Sequence, residues 1–253
     1  MKQLVLHLWT LLIVLCILFS CTAAETVRGD LTARFSGSET LEYQDVTYRV
    51  KNRMSTMVFA IIDRQAAPEE AIWMLGVLSV DDTQKQIHPL FINPAMLIEE
   101  SSCAVYTSFA QDESWELRCQ RLVATLNTLF PHEVLDNYFV LDVQGVELLG
   151  GGDENLSPDT LKSRLKALKT TLETNSTSDL LGVYDFLGDY IETNMKSGAL
   201  IRIGDKTQYY EVLPSVTLPV CERTDNIGRV YAYPDEDALL PLYITVFYEE
   251  KVW

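Results

Sequence analysis

Few residues in this chain combine the type and the setting that chemistry needs. Asp63 and Arg64 are the best placed, because they end a continuous apolar run, Thr56-Met57-Val58-Phe59-Ala60-Ile61-Ile62. They therefore stand where a buried strand leaves its sheet, and α/β proteins bind ligands outside the carboxyl ends of their strands. An acid beside a guanidinium can orient or neutralise an anionic group. A surface turn with a local ion pair would use the same two residues. His88 precedes Pro89 in an apolar stretch and His132 follows Pro131 in a turn. Neither has a sequence-evident Ser or Cys partner, so they read as a hydrogen-bonded core or edge histidine and a surface histidine. Of five cysteines, Cys16 and Cys21 lie in an apolar start, and Cys103, Cys119 and Cys221 lie beyond it. No C-x-x-C occurs and the histidines are isolated, so no zinc site is spelled out. Three cysteines outside the cytoplasm leave at least one unpaired if a pair forms. The G-x-S-x-G, P-loop and H-E-x-x-H patterns are absent. Gly150-Gly151-Gly152 lacks dinucleotide-binding spacing and reads as a turn.

These residues need elements to position them. Leu41 to Val50 alternates around Tyr43, Val46, Tyr48 and Val50, which predicts an edge strand or hairpin. Thr56 to Ile62, Ile72 to Val80 and Ile87 to Ile92 predict strands buried on both faces. The short polar turn after Asp81-Asp82 joins the second and third as a hairpin within the sheet. Trp115 to Phe130 predicts a helix, with Leu117, Leu122, Leu126 and Leu129 near the helical period and Pro131 as its stop. Val134 to Val143 predicts another strand. Ser157 with Pro158 after it opens a helix to about Glu173. Asp179 caps a helix bearing Leu180, Val183, Leu187 and Ile191, and a short helix is expected within 196–206. Tyr209 to Val220 and Val230 to Tyr233 read as strands. Glu236 to Tyr248 reads as a terminal helix whose positive end receives Asp235-Glu236-Asp237. Trp115 and the Tyr209-Tyr210 pair read as packing residues. Strands and helices interleave, so the expected fold class is α/β: a three-layer sandwich, with a central mixed β-sheet and helices on both faces.

The start of the chain predicts export. Lys2 precedes an apolar run, Leu4 to Ala24, whose 21 residues contain His7 and no acidic or other basic residue. That length crosses a bilayer core of about 30 Å as a helix, and its layout is that of a signal peptide. A buried core helix would be amphipathic instead. Three fates compete: cleavage near Thr22-Ala23-Ala24, retention as a signal anchor, or acylation of Cys21 in the lipobox-like Leu18-Phe19-Ser20-Cys21. Residues 25–40 are polar, with Gly29, Ser36, Gly37 and Ser38, and read as a linker; residues 41–253 form the folded part. The formal charge of −16 argues against nucleic acid, or an anionic membrane, as a charge-driven partner.

From Leu41 onward the order of segments resembles the LytR-CpsA-Psr family of cell-wall enzymes. Leu41 to Tyr48 is similar to a Tyr-rich lead-in, Met57 to Arg64 to the strand ending in the family's Asp/Arg region, and Ile72 to Asp81 and Ile87 to Leu97 to its next two strands. Asn137 to Val146 resembles its Tyr- and Asp-bearing strand before a Gly-Gly. Tyr190-Ile191-Glu192-Thr193-Asn194-Met195 resembles a family helix followed by Thr-Asn/Asp-Met, and the final helix ending Phe247-Tyr248 also fits. The resemblance implies a bacterial cell-surface protein held at the membrane by its N-terminus. Its implied partner is a polyprenyl-linked glycan or peptidoglycan. The family transfers an anionic glycopolymer from a polyprenyl-pyrophosphate carrier to peptidoglycan, using Mg²⁺ and clustered arginines and aspartates that stabilise the departing prenyl phosphate.

The chain departs from that pattern at charged positions. Trp73 falls where the family has an aspartate, and Asn93-Pro94-Ala95-Met96 where it has arginine, aspartate and threonine. A later arginine-rich segment is reduced to Arg164 and scattered lysines between 151 and 170. Asp63 and Arg64 are then the inherited catalytic candidates and Arg164 a ligand-binding one, with Cys21 the lipidation site. One Asp and one Arg cannot hold Mg²⁺ and neutralise a pyrophosphate. The expectation is a catalytically degenerate relative that needs no cofactor and retains a prenyl- or glycan-binding groove. Two alternatives stand beside it: an active Mg²⁺-dependent glycopolymer phosphotransferase with a rebuilt site, and a surface lipoprotein of unrelated function.

Overall fold

The computed structural model describes residues 40–98, 103–108, 114–130, 135–150, 157, 160–161, 187–196, 198–199 and 209–251. The apolar runs set its centre. Strands β3 (Met54–Ile62), β4 (Ile72–Asp81) and β5 (Gln86–Phe91) form an antiparallel meander, and β8 (Asn137–Asp142) pairs parallel with β3. β9 (Ile191–Thr193) pairs antiparallel with β8, and β10 (Glu211–Val212) and β11 (Val216–Thr217) both pair parallel with β5. Among the described residues this is a seven-stranded mixed sheet. The hairpin β1 (Thr40–Tyr43) and β2 (Val46–Val50) joins β14 (Tyr248–Glu250) in a second sheet. Two short ribbons, β6 (Leu97–Ile98) with β7 (Cys103–Ala104) and β12 (Val220–Thr224) with β13 (Val230–Pro234), complete the strands.

Both faces of β3 are buried, as a continuous apolar run requires. Val58, Ala60 and Ile62 point to one face, with Leu75, Val77, Leu90 and Val140, and belong to a core shared with helices α2 (Trp115–Asn127) and α4 (Glu236–Phe247). The helix α1 (Pro68–Ala71) is a single turn between β3 and β4. Met57, Phe59 and Ile61 point to the other face and are fully buried with Leu78 and Ile87. Helix α3 (Val143–Gly150) covers part of that face, and a Cβ on Gly145 would meet Leu141 and Tyr190. The three-layer α/β sandwich is therefore present, with helices on both faces.

Local signals explain the helix ends. Ser114 caps α2 by accepting from the Leu117 N–H, and Asp235 caps α4 by accepting from the Ala238 N–H. Tyr243 of α4 donates its hydroxyl to the Leu129 carbonyl at 2.6 Å, and its ring meets Phe130 at 5.1 Å, so the end of α2 is locked to α4. Ser157 accepts from the Thr160 N–H, the geometry of the expected cap.

Several expectations need correction. Leu117 is 52% exposed, and the buried face of α2 is Arg118, Cys119, Leu122, Val123 and Leu126. Tyr209 is 76% exposed, while Tyr210 donates its hydroxyl to Asp82 at 2.9 Å. The strand expected over 134–143 ends at Asp142, where α3 begins. Residues 190–195, expected to end a helix, instead finish a 3₁₀ turn (Gly188–Tyr190) and enter β9. The β-branched Ile191 and Thr193 suit a strand, and the Thr193 hydroxyl bonds the Tyr138 carbonyl across the pair at 2.6 Å. His88 is buried in β5, but its Nε2 has no hydrogen-bond partner among the described residues. Cys119 and Cys221 are free thiols. The readings at Cys21, His132, Arg164, Gly151-Gly152, most of 157–187 and most of 196–206 lie outside the described residues. No helix among those described is long and apolar enough to cross a membrane.

Candidate functional site

The parallel register of β3 and β8 sets Ile62 beside Asp142, so the carboxyl ends of both strands meet at one edge of the sheet. Antiparallel pairing brings the starts of β4 and β9 to the same edge. The turn after β3 is held by Asp63. Its Oδ1 accepts the Gln65 N–H at 2.9 Å, and its own N–H donates to the Ala71 carbonyl at 2.7 Å. Asp63 thereby shapes the turn, which delivers Arg64 across the end of the sheet.

Arg64 is held there by three contacts. Its Nε forms an ion pair with Asp142 Oδ2, and its Nη2 donates to the Asp189 carbonyl at 2.8 Å. Its guanidinium lies 4.8 Å over the ring of Trp115, at the start of α2. Asp142 is only 2% exposed, and its other oxygen accepts the Gln144 N–H at 2.7 Å, anchoring the first turn of α3. Charge, hydrogen bond and stacking thus converge on a guanidinium whose planar fork suits all three.

A second polar group adjoins it. Tyr138 of β8 donates its hydroxyl to Glu192 Oε1 of β9 at a long 3.5 Å. Burial, and then the negative charge of Glu116, push the Glu192 carboxyl above the usual carboxylate range. Burial and the neighbouring Glu192 push up both the Cys119 thiol and the Tyr138 phenol, so both stay protonated. A buried, protonated thiol is a poor nucleophile.

The departures noted in the sequence fall at this same edge. The β3–β4 register slips between Ile61 and Ile62, leaving Trp73 as the extra, half-buried residue of a β-bulge. Asn93 to Met96 form a turn beyond β5. Asn93 Oδ1 accepts the Ala95 N–H, Pro94 offers its carbonyl to Tyr106, and Met96 is fully buried. Strand pairing thus places Asp63, Arg64, Trp73 and Asn93–Met96 at the same end of the sheet. Asp142, Trp115, Glu192 and Asp189 complete the edge. Of these, Asp142 carries the same signal as Asp63, an acid directly after an apolar run.

Among the described residues no group of three or more His, Cys, Asp and Glu side chains that could hold a metal ion occurs. Asp142 is engaged by Arg64 and Gln144, and Asp63 Oδ1 by its own turn.

No protein-family model and no curated protein sequence matches the chain. Solved structures do. TagV of B. subtilis superposes with a TM-score of 0.54 at 12% identity, covering 76% of this chain and 95% of TagV. The protein gbs0355 from Streptococcus agalactiae gives 0.54 at 10% identity, covering 76% and 86%. TagT bound to LIIa-WTA gives 0.52 at 11% identity, covering 76% and 89%. TagV and TagT are LytR-CpsA-Psr proteins. At such identities the likeness is one of fold, and the fold of this chain is LytR-CpsA-Psr-like.

Proposed function

We propose that this protein is an extracytoplasmic, membrane-attached LytR-CpsA-Psr-like protein of the bacterial cell envelope, binding a polyprenyl-linked or cell-wall glycan without transferring it. One observation carries the reading. The arginine at the carboxyl end of β3 is already neutralised by Asp142 and stacked on Trp115, which leaves no excess positive charge on that pair for a pyrophosphate. Losing one preorganised charge-stabilising group commonly slows a reaction about 10²- to 10³-fold. Here Trp73, Pro94 and Ala95 stand where the resemblance places charged or polar residues. TagT bound to LIIa-WTA supports a glycopolymer precursor as the ligand class, because apolar burial of a prenyl chain needs no arginine cluster. The apolar run from Leu4 to Ala24 supports attachment to the membrane.

The test mixes the purified protein with a lipid-linked glycopolymer donor and a peptidoglycan acceptor, with and without Mg²⁺. Saturable donor binding with no transfer is the expected result. Transfer that an Asp63→Ala, Arg64→Ala double variant abolishes would establish an active, rebuilt site instead. Absence of donor binding would remove the glycan reading.

A further inference from the structure

The opposite edge of the sheet, where β3 begins and β4 ends, holds a buried polar cluster that the reading above does not use. Lys51, in the link between β2 and β3, is buried and pairs with Asp81 Oδ2 at 3.2 Å. Its Nζ also donates to the Thr245 carbonyl at 3.2 Å, and its backbone N–H to the Phe247 carbonyl at 3.0 Å. One residue thus ties the last turn of α4 to the central sheet. Asp81 has little capacity left, since its Oδ1 accepts the N–H groups of Thr83 and Gln84. His88 stands directly opposite Ser79 in the β4–β5 register. Ser79 is 0% and His88 9% exposed, and among the described residues neither Ser79 Oγ nor His88 Nε2 has a hydrogen-bond partner.

We infer that Lys51, Asp81 and His88 form an acid-operated latch on the C-terminal helix and strand: protonating His88 opens the contact by which Lys51 holds α4. Among the described residues the acid that acts on an imidazolium here is Asp81, two positions from Ser79 on the same face of β4, and Lys51 occupies the oxygen that Thr83 and Gln84 leave open. The new cation must displace the Lys51 ammonium or remain buried and unpaired, which is costly. Either outcome loosens the link to Thr245 and Phe247. Other charged groups on the surrounding elements do not relieve it. Beyond Asp237, α4 has no charged residue. Glu249 of β14 is paired with Arg49, while Glu211 of β10 and Asp82 keep their charge but sit at the more exposed rim, where they accept from Gln86 and Tyr210. Burial first, and then Lys51, lower the affinity of His88 for a proton, while Asp81 partly raises it. Neutral His88 is therefore the form that suits the closed latch.

The test is amide hydrogen exchange of the full chain from pH 7 down through the His88 midpoint, corrected for the intrinsic rate, together with an NMR titration of His88 that locates that midpoint. A tenfold change corresponds to about one pKa unit of linkage. Exchange over 243–250 should rise about tenfold or more as the pH falls through the His88 midpoint. In His88→Gln the rise should disappear. An equal rise in His88→Gln, or opening of 243–250 while the titration shows His88 still neutral, would overturn the latch. Because the titration uses the unaltered protein, misfolding of the variant cannot hide the answer.

Discussion

Arg64 and Asp142 lie 78 positions apart in sequence, yet the parallel pairing of β3 and β8 makes them ion-pair partners at one end of the sheet. The arginine side chain remains 31% exposed while the aspartate is almost wholly buried. Arg64→Ala therefore leaves a buried carboxylate without its counter-charge, and Asp142→Ala also removes the acceptor for the Gln144 N–H. Each should cost about 2–3 kcal/mol, discounted from the full buried-pair value for the exposure of Arg64. The double variant should fall short of the sum by about 1 kcal/mol or more. Urea unfolding of the four proteins measures this, and strict additivity would show that the pair contributes nothing. Arg64→Lys should fail to restore stability, because an ammonium lacks the planar fork that pairs, donates and stacks at once.

Gly76 sits in β4 between Phe59 of β3 and Phe91 of β5, whose rings meet edge to face with centroids 5.6 Å apart. A Cβ at Gly76 would lie 2.4 Å from both the Leu90 carbonyl oxygen and the tip of the Phe59 ring. Gly76→Ala should therefore destabilise by about 2 kcal/mol or more through overpacking. Trimming the ring with Phe59→Leu should not rescue it, because the backbone carbonyl stays in place. Thermal unfolding of the single and double variants decides the point, and full rescue would mean that the ring alone excludes the methyl.

Glu192 gives a pH dependence whose sign follows from its raised pKa. The folded state binds this proton more tightly than the unfolded chain does, so Glu192 favours folding at low pH. That contribution is lost as pH rises through the folded-state pKa. Glu192→Gln, neutral at every pH, should be more stable than the parent near pH 7 and should lose that advantage near pH 4. Chemical unfolding at the two pH values reads the difference. A larger advantage at the acidic end would reverse the assignment.

The N-terminal segment makes a prediction about mass. If Cys21 is acylated, the mature protein begins at Cys21 carrying lipid, and Cys21→Ala releases it from membranes, since each buried acyl CH₂ contributes about 0.8 kcal/mol. Mass spectrometry of the mature N-terminus distinguishes the three fates. An intact Met1 or cleavage after Ala24 would eliminate acylation.

Much of the scaffold was legible in the sequence because local pattern and local structure coincide there. The runs at Met57–Ile62, Ile72–Val80 and Ile87–Ile92 became adjacent strands of one sheet, since an unbroken apolar run satisfies its backbone and hides both faces only in the middle of a sheet. The helix starts read at Trp115 and Glu236 are where Ser114 and Asp235 cap in the structure, because a cap bonds an N–H three residues away. Asp63-Arg64 at the end of a strand followed from the same local reasoning.

Tertiary structure decided what those residues do. Nothing near Arg64 in sequence shows that its charge is cancelled by Asp142 and its face covered by Trp115; only strand pairing and helix docking bring them together. The same holds for Ile191–Thr193, a strand because β8 offers an edge, and for α2, whose docking buries Arg118 and exposes Leu117. Lys51, Asp81 and His88 read as unrelated polar residues until three strands and the end of α4 enclose them. Residue type and periodicity determine which local structure forms. The partner of a buried charge is set by contacts between distant segments, and those contacts decide whether a guanidinium is free to bind an anion or already occupied.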